Sequence, residues 1–352
     1  MPLIDRIELT EFARAMLAAA GLEDDKARAT AEILVEGDMI GHETHGTSLV
    51  SWYLDELGGG LMTKSGSYDV VSDHGATFVW DGKLLPGAWL LTEAFEQAFE
   101  RVGQYGVVTA AIRNCHHTCA LATYLRRATD RGLIAQLNVS NPGAARMAPY
   151  GGTVPLLTPN PLAIGFPTRS DPILVDVSSS ITTTTMTQSL ANKGERFPEK
   201  WALTADGVPT DDPSEVTERK GSLMPLGGAE KGHKGFGLAL MVDLLGQGLS
   251  GKGRADAKPG VLAQAAFLQV IDPAAFAGLD AFTEQSEFTA NACRTNPPAP
   301  GNAAVRVPGD SASRKRRRAL EEGVAISDEL ASKLARASER VGVAFPLKLT
   351  LA

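Results

Sequence analysis

The chain is short of the residues that usually betray a protein's chemistry. It has three cysteines in 352 residues, Cys115, Cys119 and Cys293. That number gives no disulfide framework and no paired C-x-x-C zinc motif, and it suits a reducing compartment. No apolar run reaches the roughly 18 residues of a membrane span. The opening Met1-Pro2-Leu3-Ile4-Asp5-Arg6 lacks the basic-then-apolar pattern of a secretory leader. The expected location is the cytoplasm, with no membrane partner. Positive charge is not in excess either. The formal net charge is −7, which argues against a nucleic-acid partner. No self-similar period suggests a solenoid.

What is present is an ordinary globular composition, 43% hydrophobic and 21% charged. The length favours two or three domains over one core. Residues 1–66 read as helical. Thr10 can cap a first helix that Gly21 ends, a second runs from Asp24 or Asp25 to Gly41, and a third covers Ser51–Leu57. Strands are expected at Tyr68–Ser72, Thr77–Trp80, Val107–Ile112, Leu133–Val139, Leu162–Phe166, Ile173–Val177 and Ala266–Ile271, and a short one at Val305–Val307. Helices are expected at Trp89–Val102, Ala120–Arg131, Gly235–Leu245 (apolar and buried), Leu279–Cys293, Ser311–Glu322 and Ser327–Val341. Residues 178–222 read as a long excursion with little regular structure. Helices and strands do not alternate regularly, which favours an α+β fold over a doubly wound sheet.

Two nucleotide-binding patterns are present only as letters. Gly246-Gln247-Gly248-Leu249-Ser250-Gly251 spells G-x-G-x-x-G, but a helix precedes it where a strand is needed. The segment from Gly246 to Lys252 nearly spells a phosphate loop, but Gly253 stands where Ser or Thr should bind magnesium. The basic run Arg314-Lys315-Arg316-Arg317-Arg318 reads as a solvated helix face, with contact to a cofactor phosphate as the sharper reading.

Histidine is scarce and clustered. Of the six in the chain, four are His42, His45, His116 and His117. The first pair lies in Gly41-His42-Glu43-Thr44-His45-Gly46, where the flanking glycines end a helix. The second pair lies where a strand runs into a helix, a junction at which a rigid element can hold a functional group. Histidine moves protons near neutral pH, so both clusters are candidate acid/base sites. The competing reading is a zinc site built from His42, Glu43, His45, His116 and His117. H-E-x-H is not H-E-x-x-H, however, and no spacing here is diagnostic.

The segments that carry these residues, in order along nearly the whole chain, resemble the malate/L-lactate dehydrogenase family that lacks a Rossmann fold. Its relatives include ureidoglycolate, sulfolactate and diketogulonate oxidoreductases and cyclic-imine carboxylate reductases. The matching segments are Gly41–Gly46, Asn114–His117, Ser140-Asn141 with Pro149–Gly152, Pro159–Ile164, Leu174–Ser178, Pro225–Leu240 and Pro308–Asp310.

The resemblance implies a nicotinamide-dependent (NAD or NADP) oxidoreductase acting on a small 2-keto or 2-hydroxy acid, or a cyclic 2-imino acid. It implies a cofactor site on a largely antiparallel sheet, helical N- and C-terminal parts, and a homodimer. The implied organisation is residues 1–66 as a helical part packing with the C-terminal helices. Residues 67–120 plus 262–352 would form a substrate and dimer domain, and 121–261 the cofactor domain. His45, His117 and Asp176 are the implied catalytic residues, Asp176 either orienting a histidine or holding a ribose hydroxyl. Cofactor contacts fall on Pro172, Ile173, Leu174, Val175, Asp176, Val177, Ser178, His233, Lys234, Gly309, Asp310 and Ser311. Substrate contacts fall on Thr44, Tyr53 and Asn141, and no metal is implied. The chain departs from the family at Leu49, where many members have an arginine that clamps the substrate carboxylate, a part open here to Arg146 or Arg113. It departs again at Thr185-Met186, in place of Gly-Lys. A relative with altered or lost activity, kept as a binding or oligomeric protein, is the alternative.

Overall fold

Apolar strand sequences such as Ile134–Ser140 (IAQLNVS) and Gln264–Ile271 (QAAFLQVI) are buried on both faces, as strands between covering layers must be. They lie at the centre of a seven-stranded sheet. In spatial order the strands are Asp69–Asp73, Thr77–Asp81, Val107–Cys115, Gln264–Ile271, Ile134–Ser140, Leu162–Phe166 and Ile173–Val177. Only Thr77–Asp81 and Val107–Cys115 run parallel; the other neighbours are antiparallel. The computed structural model describes residues 2–346.

The fold is α+β with no Rossmann unit, as expected. Strands on both sides of the expected boundary at 120, Val107–Cys115 and Ile134–Ser140, pair with the same central strand, Gln264–Ile271. Helices Arg6–Ala19, Asp24–Ile40 and Gly87–Tyr105 supply much of the main core with Leu9, Met16, Leu34, Leu91 and Phe95, packed with Phe78, Trp80 and Leu137 of the sheet.

Several local expectations are corrected. Asp5, not Thr10, caps the first helix: its Oδ1 accepts from the Ile7 and Glu8 amides at 2.8 and 3.2 Å. Thr10 lies inside that helix and donates to the Arg6 carbonyl. Residues 178–222 are not irregular. Thr183 caps a helix over Thr184–Lys193, and Ala202–Leu203, Pro209–Thr210 and Ser222–Leu223 form a small sheet. The polar sequence hides this because part of its core is borrowed: Phe197, Ala202, Val216 and Leu223 pack on Met147, Leu157 and Ala239 from elsewhere in the chain. The helix expected at Gly235–Leu245 spans Gly228–Asp243 and is only half-buried. Leu240, Met241, Leu244 and Leu249 are exposed along it and its continuation. That continuation is a π-helical turn, Leu244–Gly248, so the G-x-G-x-x-G letters have no strand before them. Val305–Val307 is not a strand; instead Val324–Ala325 pairs with Leu3–Ile4.

One buried carboxylate ties several of these parts together. Asp243, at the end of the half-buried helix, accepts from Asn160 Nδ2 (2.7 Å), Gln247 Nε2 (2.9 Å) and Arg254 Nε (2.7 Å). Gln247 Nε2 also donates to Ser140 Oγ, and Arg254 Nη1 to the Ala144 carbonyl. Removing the carboxylate strands an arginine and two amides in a low-dielectric site, which typically costs about 3–5 kcal/mol for a buried ion pair. We therefore expect Asp243→Ala to lower unfolding free energy by about 3–5 kcal/mol in urea titrations. A loss under about 1 kcal/mol would place this network among surface ion pairs in its effect.

Candidate active site

The two histidine clusters meet. The second helix ends at Gly41, whose φ of 88° only glycine adopts freely, and the chain turns back through His42 to Gly46. The return is close. A Cβ on Gly46 would lie 1.8 Å from Asp38 Oδ1, and one on Gly37 would lie 3.1 Å from the His45 carbonyl. Asp38 fixes the turn: its Oδ2 accepts from the Thr47 amide (3.0 Å) and the Thr47 hydroxyl (2.6 Å). Opposite, the strand Val107–Cys115 runs into His116-His117-Thr118-Cys119 before helix Ala122–Thr129 begins. Gly87 lets the start of helix Gly87–Tyr105 press on this segment; a Cβ there would lie 2.4 Å from the His116 carbonyl.

The result is a pair of imidazoles, His45 and His117, with ring centroids 5.9 Å apart and planes inclined by 20°. Both line a cavity of about 410 Å³ together with His42, Asn141, Arg146, Asp176, Ser178 and Gln264. The two rings are wired differently. His117 Nδ1 lies 2.8 Å from the Tyr53 hydroxyl and 3.3 Å from the Cys119 amide, which donates to it. Nδ1 is therefore an acceptor, and the ring hydrogen sits on Nε2. Burial, reinforced by His45 and His116, drives the His117 pKa down to about 3, so the ring is neutral throughout the physiological range. His45 Nδ1 contacts the Thr44 hydroxyl at 3.0 Å, which leaves Nε2 for proton exchange. Burial, and then His42, lowers its pKa too.

Asp176 stands on the edge strand and its Oδ2 accepts from the Ala122 amide at 2.8 Å, at the start of helix Ala122–Thr129. Burial raises its pKa, while the Ala122 hydrogen bond and then His42 pull it down. The family resemblance leaves His42 out of the catalytic set. His42 is in fact half-buried in the cavity wall, near enough to act electrostatically on both His45 and Asp176. The signal was there in its three-residue spacing from His45, which returns a side chain to the same side of a tight turn.

The remaining candidates divide. Asn141 and Ser178 line the cavity. Tyr53, expected at the substrate, is fully buried beneath His117, outside the cavity lining. Thr44 reaches His45 and not the cavity. Pro172 to Val175 and Gly309 to Ser311 adjoin each other at the sheet edge. The Leu174 amide donates to the Pro308 carbonyl, and a Cβ on Gly309 would lie 2.8 Å from the Leu174 nitrogen. Asp310 is committed to Arg294 and the Val307 amide. His233 and Lys234 are exposed on helix Gly228–Asp243 and do not line the cavity. Leu49 packs on the main core. Of the two arginines open to the clamp role, Arg113 pairs with Asp81 while Arg146 lines the cavity. The five groups of the zinc reading do not converge: His116 is buried and turned to Glu56, 3.1 Å from its Nε2. Among the described residues no cluster of His, Cys, Asp and Glu is arranged to hold a metal ion.

The family model described as malate/L-lactate dehydrogenase matches residues 4–335. This chain belongs to the malate/L-lactate dehydrogenase family. It is 34% identical to the L-lactate dehydrogenase of Cupriavidus necator, over 97% of this chain and 99% of that one. It is 27% identical to the L-sulfolactate dehydrogenase of Methanothermobacter thermautotrophicus, over 98% and 97%. Its fold matches malate dehydrogenase from Entamoeba histolytica with a TM-score of 0.91 at 23% identity, covering 98% and 99% of the two chains. It matches delta1-piperideine-2-carboxylate reductase from Pseudomonas syringae with a TM-score of 0.84 at 26% identity, covering 96% and 100%. This member of the family is thus a dehydrogenase or reductase.

Asp38 gives the family site a pH signature. Burial raises its pKa to about 7 against the Thr47 hydrogen bonds that lower it, and Oδ1 is buried with no partner. A carboxyl whose folded pKa is raised stabilises in its protonated form, and that stability is lost as pH rises through the folded value. We expect Asp38→Asn, which never ionises, to gain stability relative to the parent between pH 5 and about pH 8. The check is the difference in urea midpoint across that range; a constant or falling difference contradicts the assignment.

Proposed function

We propose that the chain transfers hydride between NAD(H) or NADP(H) and a small 2-keto or 2-hydroxy acid, or a cyclic 2-imino acid, with His45 as the acid/base. The observation that carries this reading is the stacked His45–His117 pair in one cavity with a buried carboxylate, Asp176. The cavity carries donors that suit the phosphate and ribose of a nicotinamide cofactor. Thr183, Thr184 and Thr185 line it at the start of helix Thr184–Lys193, where the first amides have no partner within the helix and suit a phosphate. Asp176, with Oδ2 taken by Ala122, keeps Oδ1 for a ribose hydroxyl. A bound nicotinamide supplies or accepts the hydride.

The side chains then do the rest. In the oxidising direction neutral His45 accepts the hydroxyl proton at Nε2. In the reducing direction its protonated ring returns that proton to the forming alkoxide or amine, and an anionic substrate beside it favours the charged ring. His117, locked as the Nε2–H tautomer by Tyr53 and Cys119, donates to the substrate oxygen without changing charge. Arg146, exposed at the rim, draws anionic substrates toward the cavity. A homodimer is part of the proposal, and the exposed Leu240, Met241, Leu244 and Leu249 support it because an apolar stripe of this kind needs cover. The cytoplasm remains the proposed location.

Titration with NADH and NADPH, followed by nucleotide fluorescence, tests the cofactor half. Binding of neither would favour a lapsed relative. A panel of 2-keto acids and cyclic imines with both reduced cofactors tests the substrate half. His45→Ala should lower kcat/KM by about 10²- to 10⁴-fold, the range of acid/base catalysis, while cofactor affinity stays within about twofold. Turnover close to the parent's would remove His45 from the role.

A further inference from the structure

Gln264 opens the central strand, and the register there slips: Gln264 faces Cys115, while Ala266 already faces Ile112. A bulge of this kind re-aims a side chain. The Gln264 side chain reaches Thr118, directly after His117, and takes both its donors: Oε1 accepts from the Thr118 amide at 3.0 Å and the Thr118 hydroxyl at 2.9 Å. A backbone N–H can only donate, so the atom facing it is the amide oxygen and the orientation is settled. The –NH2 group is left without a protein partner among the described residues, on a side chain that lines the cavity. Asn141 repeats the device beside it, at the end of the neighbouring strand where Ser140 pairs with Ala265: its Oδ1 accepts from the Gly143 amide at 3.2 Å, which frees its own –NH2. No guanidinium is fixed in the interior, since Leu49 is packed in the core and Arg113 is held by Asp81.

We propose that Gln264 is a specificity-determining residue that contacts substrate, its –NH2 donating to a carboxylate oxygen of the small 2-keto, 2-hydroxy or 2-imino acid, with Asn141 as its neutral counterpart. The assignment rests on the function proposed above. A neutral pair of donors grips a carboxylate less tightly than a buried guanidinium, but it carries no charge that must be compensated when the site is empty. Such a site takes monocarboxylates whose remaining body is small and leaves discrimination of a second charge to exposed Arg146.

The test is steady-state kinetics of Gln264→Leu and Gln264→Glu with the best acid from the substrate panel. Gln264→Leu removes the donor and should raise KM about tenfold, with kcat within about threefold. Gln264→Glu keeps both acceptor bonds to Thr118 but sets a carboxylate oxygen where the –NH2 was, and should raise KM about a hundredfold or more by like-charge repulsion. Cofactor affinity stays within about twofold in both. A residue that merely held Thr118 would give the reverse order, with Gln264→Glu near the parent and Gln264→Leu impaired. That order, or an unchanged KM in Gln264→Glu, overturns the assignment while leaving the oxidoreductase reading intact. A parent enzyme that turns over no acid in the panel takes both down.

Discussion

The contact on which the site depends is the one between the end of the second helix and the turn that follows it. Asp38 faces back onto Thr47, and two glycines, Gly37 and Gly46, let the backbones close to a distance no side chain would tolerate. Everything the His45 ring does requires its backbone to be held, and a three-residue turn has no hydrogen-bond ladder of its own to hold it. The helix supplies that rigidity through one carboxylate. The cost is a buried oxygen with no partner.

The opposite wall is built on another principle. His117 is positioned from the sheet, with Tyr53, Cys119, Thr118 and Gln264 forming a chain of hydrogen bonds from helix Val50–Gly58 across to the central strand. One histidine is thus placed by a helix and the other by a strand. The distance between them follows from how the N-terminal helices pack on the sheet. Both imidazoles thus sit at the ends of elements that the core already fixes.

Much of this was legible in the residues. The apolar periodicity located nearly every strand of the large sheet and most helices, and the glycines around His42 and His45 marked their turn. Seven motif segments in order located the family. Three things were not legible, each for a physical reason. The small sheet of residues 202–223 completes its core with Met147, Leu157 and Ala239, so its own segment reads as polar. The exposure of Leu240 and Leu244 depends on what the rest of the chain leaves uncovered, which periodicity does not encode. The burial of Tyr53 beneath His117 follows from packing between helix Val50–Gly58 and a segment more than sixty residues away. Pairings at that sequence separation leave no local trace.

The Arg254 guanidinium is a mechanical link between two parts of the chain. It binds Asp243 on one side and the Ala144 and Pro142 carbonyls on the other, so the loop that carries Asn141 and Arg146 is fastened from behind. Asn141 and Arg146 of that loop line the cavity. The same planar group thus grips the helix end and the loop together. Loss of Arg254 would release both at once, so the placement of Asn141 and Arg146 at the cavity depends on a residue that does not line it.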